Sequence, residues 1–212
     1  MTKKQKSKTP TSTKIAAFSM MAILILGLIY FMSVSFGHKT TLPILGEPGH
    51  VAGAFSFINQ DGLRVTEKSV RNKVTVVEYF FTSCPSICPV MNANLTDVYE
   101  KFKANPGFMI LSHTVDPERD SVAVLKKYSG RFHAESPGWQ FLTGSKDSLY
   151  QSASKDYLLA VEDSSNSNFI HTQYVALLDK KRQIRGFYDF TNKENVGKMS
   201  EAIRELLKED DH

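Results

Sequence analysis

Cysteine is scarce in this chain. Only Cys84 and Cys88 occur in 212 residues, both inside FFTSCPSICPVMNANL (80–95), and each is followed by proline. A secreted domain that depends on disulfides usually carries several. Two cysteines this close in the chain would close too small a loop to stabilise much. A structural staple is therefore the weakest use for the pair, and a metal site or a redox pair remains.

Acid is missing from the N-terminus, and charge of any kind from the stretch after it. Lys3, Lys4, Lys6, Lys8 and Lys14 precede residue 15 with no Asp or Glu among them, and IAAFSMMAILILGLIYFMSVSF (15–36) runs 22 residues without a charge. At about 1.5 Å per residue such a run spans the roughly 30 Å hydrocarbon core of a bilayer. A removable signal has a shorter apolar region of about 7–15 residues. Ser33 and Ser35 imitate a cleavage site, but the length favours a retained anchor. The lysines place the N-terminus in the cytoplasm and residues 37 onward outside it, by the positive-inside rule.

Those five lysines also account for the overall charge. The formal total is +4, so without them the rest of the chain carries −1. A domain that bound nucleic acid would want a basic face of its own, and this balance speaks against such a partner.

The chain then divides into a lysine-rich cytoplasmic tail (1–14), a transmembrane anchor (15–36), a linker (37–54) and a folded domain (55–212). The linker GHKTTLPILGEPGHVAGA has four glycines and two prolines with no period. FSFINQDGLRVT carries two apolar-patterned runs around Asp61-Gly62, the signal of an N-terminal β-hairpin. VTVVEYFF (74–81) and FMILSHTV (108–115) read as buried strands. Met91, Leu95, Val98, Tyr99 and Phe102 recur at helical spacing, as do Val122, Leu125, Tyr128 and Phe132. GWQFLTG is a short strand, followed by a helix marked by Leu149, Ala153 and Tyr157. TQYVALLDKKRQIRGFYDF reads as strand, turn, strand, and Val196 to Leu207 as an amphipathic C-terminal helix. Strands alternating with helices predict an α/β domain with a central mixed sheet flanked by helices.

In this layout Cys84 follows a buried strand and Cys88 lies in or near a first helical turn. Loops at that end of a strand are where α/β proteins place their sites, and a helix N-terminus favours a thiolate. Spacing of four lets both sulfurs face one object. Two thiolates suit Cu(I) or zinc, and a third ligand is wanted from elsewhere. The histidines on offer are His38, His50, His113, His133, His171 and His212. His113 falls inside a strand, and three others lie near the membrane, in the linker or at the terminus. His171 stands out, after the polar run EDSSNSN and just before a strand that can approach the cysteine strand.

FFTSCPSICPVMNANL, TVDPERDS, WQFLTG and FIHTQYVALLDKKRQIRGFYD together, in order over roughly residues 50–207, resemble the Sco/SenC family of membrane-anchored copper proteins. The resemblance implies a thioredoxin-like fold and copper bound by Cys84, Cys88 and His171. It also implies delivery of that copper to a copper-accepting subunit of a respiratory oxidase during assembly, from the extracytoplasmic side of the cytoplasmic membrane. Many members have Asp directly before the ligand histidine, where this chain has Ile170. Asp116 is the nearest acidic substitute to orient a histidine. Its structural alternative is a strand-ending turn, with Asp120 or Ser121 capping the next helix.

Copper delivery makes this a binding protein rather than an enzyme, with a shallow, exposed site. The competing reading is a thiol–disulfide oxidoreductase that keeps the cysteines of a partner copper site reduced, cycling Cys84 and Cys88 between dithiol and disulfide. A peroxidase is disfavoured, because Thr82 stands only two residues before Cys84, against the usual three.

Overall fold

The alternating strand pattern closes, in a computed structural model of the protein, into one mixed seven-stranded sheet. The structure describes residues 20–30, 42–159 and 172–209. Two compact units partition the chain, Met1–Thr41 and Leu42–His212. In the first, residues 20–30 form helix α1 with every side chain exposed. No helix among the described residues is long and apolar enough to cross a membrane. Residues 15–19 and 31–36 of the expected anchor lie outside the described residues.

The second unit opens with the expected hairpin, β1 (Ser56–Asn59) against β2 (Arg64–Thr66). Its turn works because Gly62 takes φ +75° at no steric cost, while Asn59 Oδ1 accepts from the backbone N–H of Asp61 and Leu63. A 3₁₀ turn (Glu67–Val70) leads into β3 (Val74–Phe80). Then follow α2 (Ile87–Phe102), β4 (Phe108–Thr114), α3 (Val122–Ser129) and β5 (Trp139–Thr143). The chain continues through α4 (Lys146–Gln151), a π-helical turn (Ser152–Asp156), β6 (Tyr174–Leu178), β7 (Ile184–Asp189) and α5 (Lys193–Lys208). The helix expected to run through Tyr157 therefore loosens after Gln151, where Tyr157 N–H reaches back five residues to Ser152 O.

Strand order is β2-β1-β5-β4-β3-β6-β7. The β3–β4 and β4–β5 pairs are parallel and the rest antiparallel. Every residue of β3 and β4 is buried, because both faces of the sheet are covered. Side chains alternate between two cores. Val74, Val76, Phe80 and Ile110 face α2, α3 and α5, beside Leu95, Leu125 and Ile203. Val77, Tyr79, Met109 and Leu111 face Leu149, Ala153 and Phe57 on the other side. This is the mixed α/β sheet flanked by helices that the thioredoxin-like expectation calls for.

From Leu42 onward, the segment read as a linker lies against this domain. Leu45 N–H bonds to Ile184 O and Ala52 N–H to Arg182 O, while the Arg185 guanidinium takes the carbonyls of Leu42 and Pro43. Its partners come from β7 and the turn before it, some 140 residues along the chain, which local composition does not reveal.

Candidate metal centre

Three local devices fix the loop that carries the cysteines. Val115 N–H donates to Phe80 O at 2.8 Å, so the β3–β4 pair holds together one step past the end of β4. Cys84 N–H donates to Phe81 O at 3.2 Å and closes a tight turn. Thr82 then gives both its N–H (3.1 Å) and its hydroxyl to the carboxylate of Asp120. Helix α2 starts at Ile87, and Pro89 sits in its first turn, where a missing N–H leaves nothing unsatisfied.

Ser86 holds the N-cap position, but its side chain makes no capping bond. The backbone N–H groups of Ser86 and of Cys88 at this helix start favour the ionised form of the Cys84 sulfur. Ser86 Oγ lies 3.9 Å from the same sulfur. Burial works to raise the Cys84 thiol, but hydrogen bonds from the Cys88 thiol, these two N–H groups and the Ser86 hydroxyl outweigh it and leave Cys84 more acidic than an ordinary cysteine. Cys88 moves the other way. Burial pushes it up strongly, and donating its proton to Cys84, with Cys84 and Glu78 both ionising before it, pushes it further. The pair is thus polarised into one ready thiolate and one reluctant thiol.

Both thiols are free. Cys84 is 6% exposed and Cys88 3%, so the shallow, exposed site expected from the sequence is not what forms. The reason is local: the tight turn closed by Cys84 N–H to Phe81 O tucks Cys84 in, and the buried face of α2 turns Cys88 into the core beside Phe80 and Met91. The cover is thin, because Ser83, Pro85, Ser86, Pro89 and Val90 around them are exposed.

His171 and its neighbour Ile170 lie outside the described residues, as do His38 and His212. The described chain resumes at Thr172, just before β6. That strand runs antiparallel to β3 in the register Thr75↔Leu178 to Val77↔Ala176, so it starts at the end of β3 from which the cysteine loop leaves. Among the remaining histidines, His50 Nε2 bonds to Asp156 O at 3.0 Å and His133 is exposed at the end of a 3₁₀ turn. His113 is fully buried on the face of the sheet away from the cysteines, stacked on Tyr79 (4.9 Å) and edge-on to Phe57 (5.4 Å). Neither of its ring nitrogens has a hydrogen-bond partner of good geometry. Burial therefore holds it neutral, with its pKa lowered to about 3, the backbones of Glu78 and Leu111 offsetting a part. Among the described residues, no three His, Cys, Asp or Glu side chains gather to hold a metal.

The segment VDPERD divides its work between two acids. Asp116 makes the turn: its carbonyl accepts from the N–H of Arg119 and Asp120, and its carboxylate faces the exposed Arg119 at 3.5 Å. Ser121 caps α3 through Val124 N–H, so Asp120 is released from that duty and reaches the cysteine loop instead. Sequence reasoning also passed over Glu78, in the middle of β3. Its Oε1 accepts from Ser112 Oγ, which accepts in turn from Trp139 Nε1, and its Oε2 has no partner. Burial raises its pKa to about 8, the Ser112 bond holding it somewhat lower. One acid inside VTVVEYFF was the available signal.

The profile of the family described as SCO1/SenC matches residues 45–208. The SCO1 protein homolog of Bacillus subtilis (strain 168) is 38% identical over 110 residues, 51% of this chain and 57% of that protein. The matched part spans about half the length of this and the Arabidopsis thaliana relative. BsSco, described as a member of the Sco family of cytochrome c oxidase assembly proteins with a disulfide switch, superposes with TM-score 0.66 at 27% identity, over 79% of this chain and 99% of that one. Arabidopsis thaliana ScoI, solved with copper bound, superposes with TM-score 0.61 at 29% identity, over 75% and 99%.

Proposed function

This chain belongs to the SCO1/SenC family, and we propose that it binds one copper ion through Cys84, Cys88 and His171 and hands it to the copper-accepting subunit of a respiratory oxidase during assembly. The observation that carries this reading is the polarised thiol pair at the start of α2: two soft sulfurs four residues apart, one already inclined to ionise. Copper-bound structures of relatives with the same fold support the choice of metal over zinc, which sulfur ligands alone admit as well. The start of β6 at the cysteine end of β3 supports His171 as the third donor. We extend the reading to the N-terminus: residues 15–36 anchor the chain in the cytoplasmic membrane, with the lysine tail inside and the domain outside.

The test is anaerobic titration of the reduced chain, residues 1–212 in detergent, with Cu(I) against a chromogenic chelator, beside Cys84→Ala and His171→Ala. One ion per chain, lost in the first variant and weakened by an order of magnitude or more in the second, is expected for a three-donor site. Unchanged stoichiometry in Cys84→Ala sinks it.

A second reading has its own support. The same polarisation suits thiol–disulfide exchange, in which the readier thiolate attacks and the other thiol resolves. Reduction of a partner's disulfide that persists in His171→Ala would move the assignment to that oxidoreductase.

A further inference from the structure

Asp120 is 1% exposed, and its carboxylate lies between three segments that are remote in the chain. Oδ2 accepts from Thr82 N–H at 3.1 Å and from the Thr114 hydroxyl, and Oδ1 accepts from the Thr82 hydroxyl. Thr114 in turn accepts from Asp116 N–H at 3.0 Å, and Asp120 N–H donates to Asp116 O at 2.9 Å. The carboxylate thus ties the loop after β3 to the last residue of β4 and to the turn that starts α3. A buried carboxyl group is tolerated where its hydrogen bonds are met, and here three donors meet them. Helix capping does not require it, since Ser121 does that.

What the carboxylate does hold is Thr82, gripped by both backbone and side chain two residues before Cys84. Within the turn from Phe81 to Cys84, the Cys84 N–H donates to Phe81 O at 3.2 Å. We propose that Asp120 is a positioning residue for the cysteine pair: by fixing Thr82 it sets where the Cys84 sulfur stands relative to Cys88, and so the affinity and redox balance of the site. This rests on the copper and thiol chemistry proposed above, and it gives the segment VDPERD a part in that chemistry without touching the metal.

The test compares the full chain in detergent with Thr82→Val, Asp120→Asn, Asp120→Ala and a control, Leu149→Ala, whose buried side chain lies in the opposite core. Three quantities are read: thermal midpoint, Cu(I) affinity, and the equilibrium constant for forming the Cys84–Cys88 disulfide. In that equilibrium oxidised glutathione takes two electrons and two protons from the thiols and leaves as two molecules of reduced glutathione. Thr82→Val and Asp120→Ala are expected to change affinity and disulfide constant by roughly tenfold or more, the range for groups that orient metal ligands. Asp120→Asn, which keeps one acceptor oxygen, should fall between them and the native chain. Leu149→Ala should lower the midpoint and leave both site constants within about twofold, because it packs on the other face of the sheet from the cysteines.

Site constants in Thr82→Val and Asp120→Asn no more altered than in the control would overturn the proposal. Should Asp120→Ala not fold, Thr82→Val decides, because it retains the carboxylate and its Thr114 bond. A native chain that binds no Cu(I) would end the copper reading instead, and the disulfide constant alone would then judge Asp120.

Discussion

Glu78 and Ser112 stand directly opposite each other on the parallel strands β3 and β4, and the serine hydroxyl donates to Oε1 of the glutamate in the dry interior of the sheet. With its other oxygen unpartnered, the side chain is best held as a neutral acid.

That arrangement sets one side of the protein's pH range. Glu78 has its pKa raised from 4.5 to about 8 in the fold, so between those values the native chain keeps a proton that the unfolded chain gives up. Its contribution to stability is complete below pH 4.5 and falls as pH rises toward 8, by about 1 kcal/mol per pH unit. His113 is lowered from 6.5 to about 3, so its contribution is complete above 6.5 and is lost as pH falls toward 3. The two slopes cancel between 4.5 and 6.5, which predicts a plateau there with losses on either side. Urea unfolding across this range checks it. Glu78→Gln should flatten the alkaline limb and extend the acid limb up to about pH 6.5, where the plateau had been; an unchanged alkaline limb refutes the assignment.

The polarised thiols predict an order of reaction. Iodoacetamide should label Cys84 before Cys88 as pH rises from about 6 to 9, because only the thiolate reacts. Peptide mapping by mass spectrometry reads the order directly. Cys88→Ala removes a hydrogen bond to the Cys84 sulfur, so it should move the Cys84 labelling curve to higher pH. Earlier labelling of Cys88 would contradict the electrostatics described above.

Arg185 predicts where the domain's entry is vulnerable. Only 5% of its side chain is exposed, and it bonds Asp179 and Glu209 as well as the carbonyls of Leu42 and Pro43. Arg185→Met leaves Asp179 buried without its ion pair and should cost about 3 kcal/mol. It should also release the chain at Leu42–Pro43 to limited proteolysis. Equal protease resistance in the variant would show that other contacts hold this segment.

Gly144, just after β5, predicts a steric limit. A Cβ there would stand 2.7 Å from Cδ1 of the buried Phe57 ring. Gly144→Ala should therefore lose about 1–3 kcal/mol by overpacking. A companion Phe57→Leu should recover part of the loss if that clash is the cause.

Much of this was legible because it is local. Asp61-Gly62 announces the hairpin, the Met91-to-Phe102 spacing announces α2, and the dense apolar runs announce β3 and β4. What escaped depends on partners far apart in sequence. The acid in VTVVEYFF has meaning only once Ser112 is known to face it, which the β3–β4 register decides. The pairing of Asp120 with Thr82 crosses 38 residues, and either Asp120 or Ser121 fits a cap by composition. The burial of both sulfurs follows from how the start of α2 packs on the sheet, with Cys88 on its buried face. His171 was singled out by position and resemblance, and it lies outside the described residues.

The sheet's two separate cores bear on how this protein can diverge. The cysteine loop, Glu78, Asp120 and α2 all belong to one side, while Phe57, His113, Leu149 and Tyr157 pack on the other. Apart from Phe81, which packs against both cores, the second side meets the cysteine side through the sheet itself, so that half is freer to drift and re-pack over generations. Variation tolerated there and purged on the cysteine side would be the inherited trace of a single layer of strands acting as a partition.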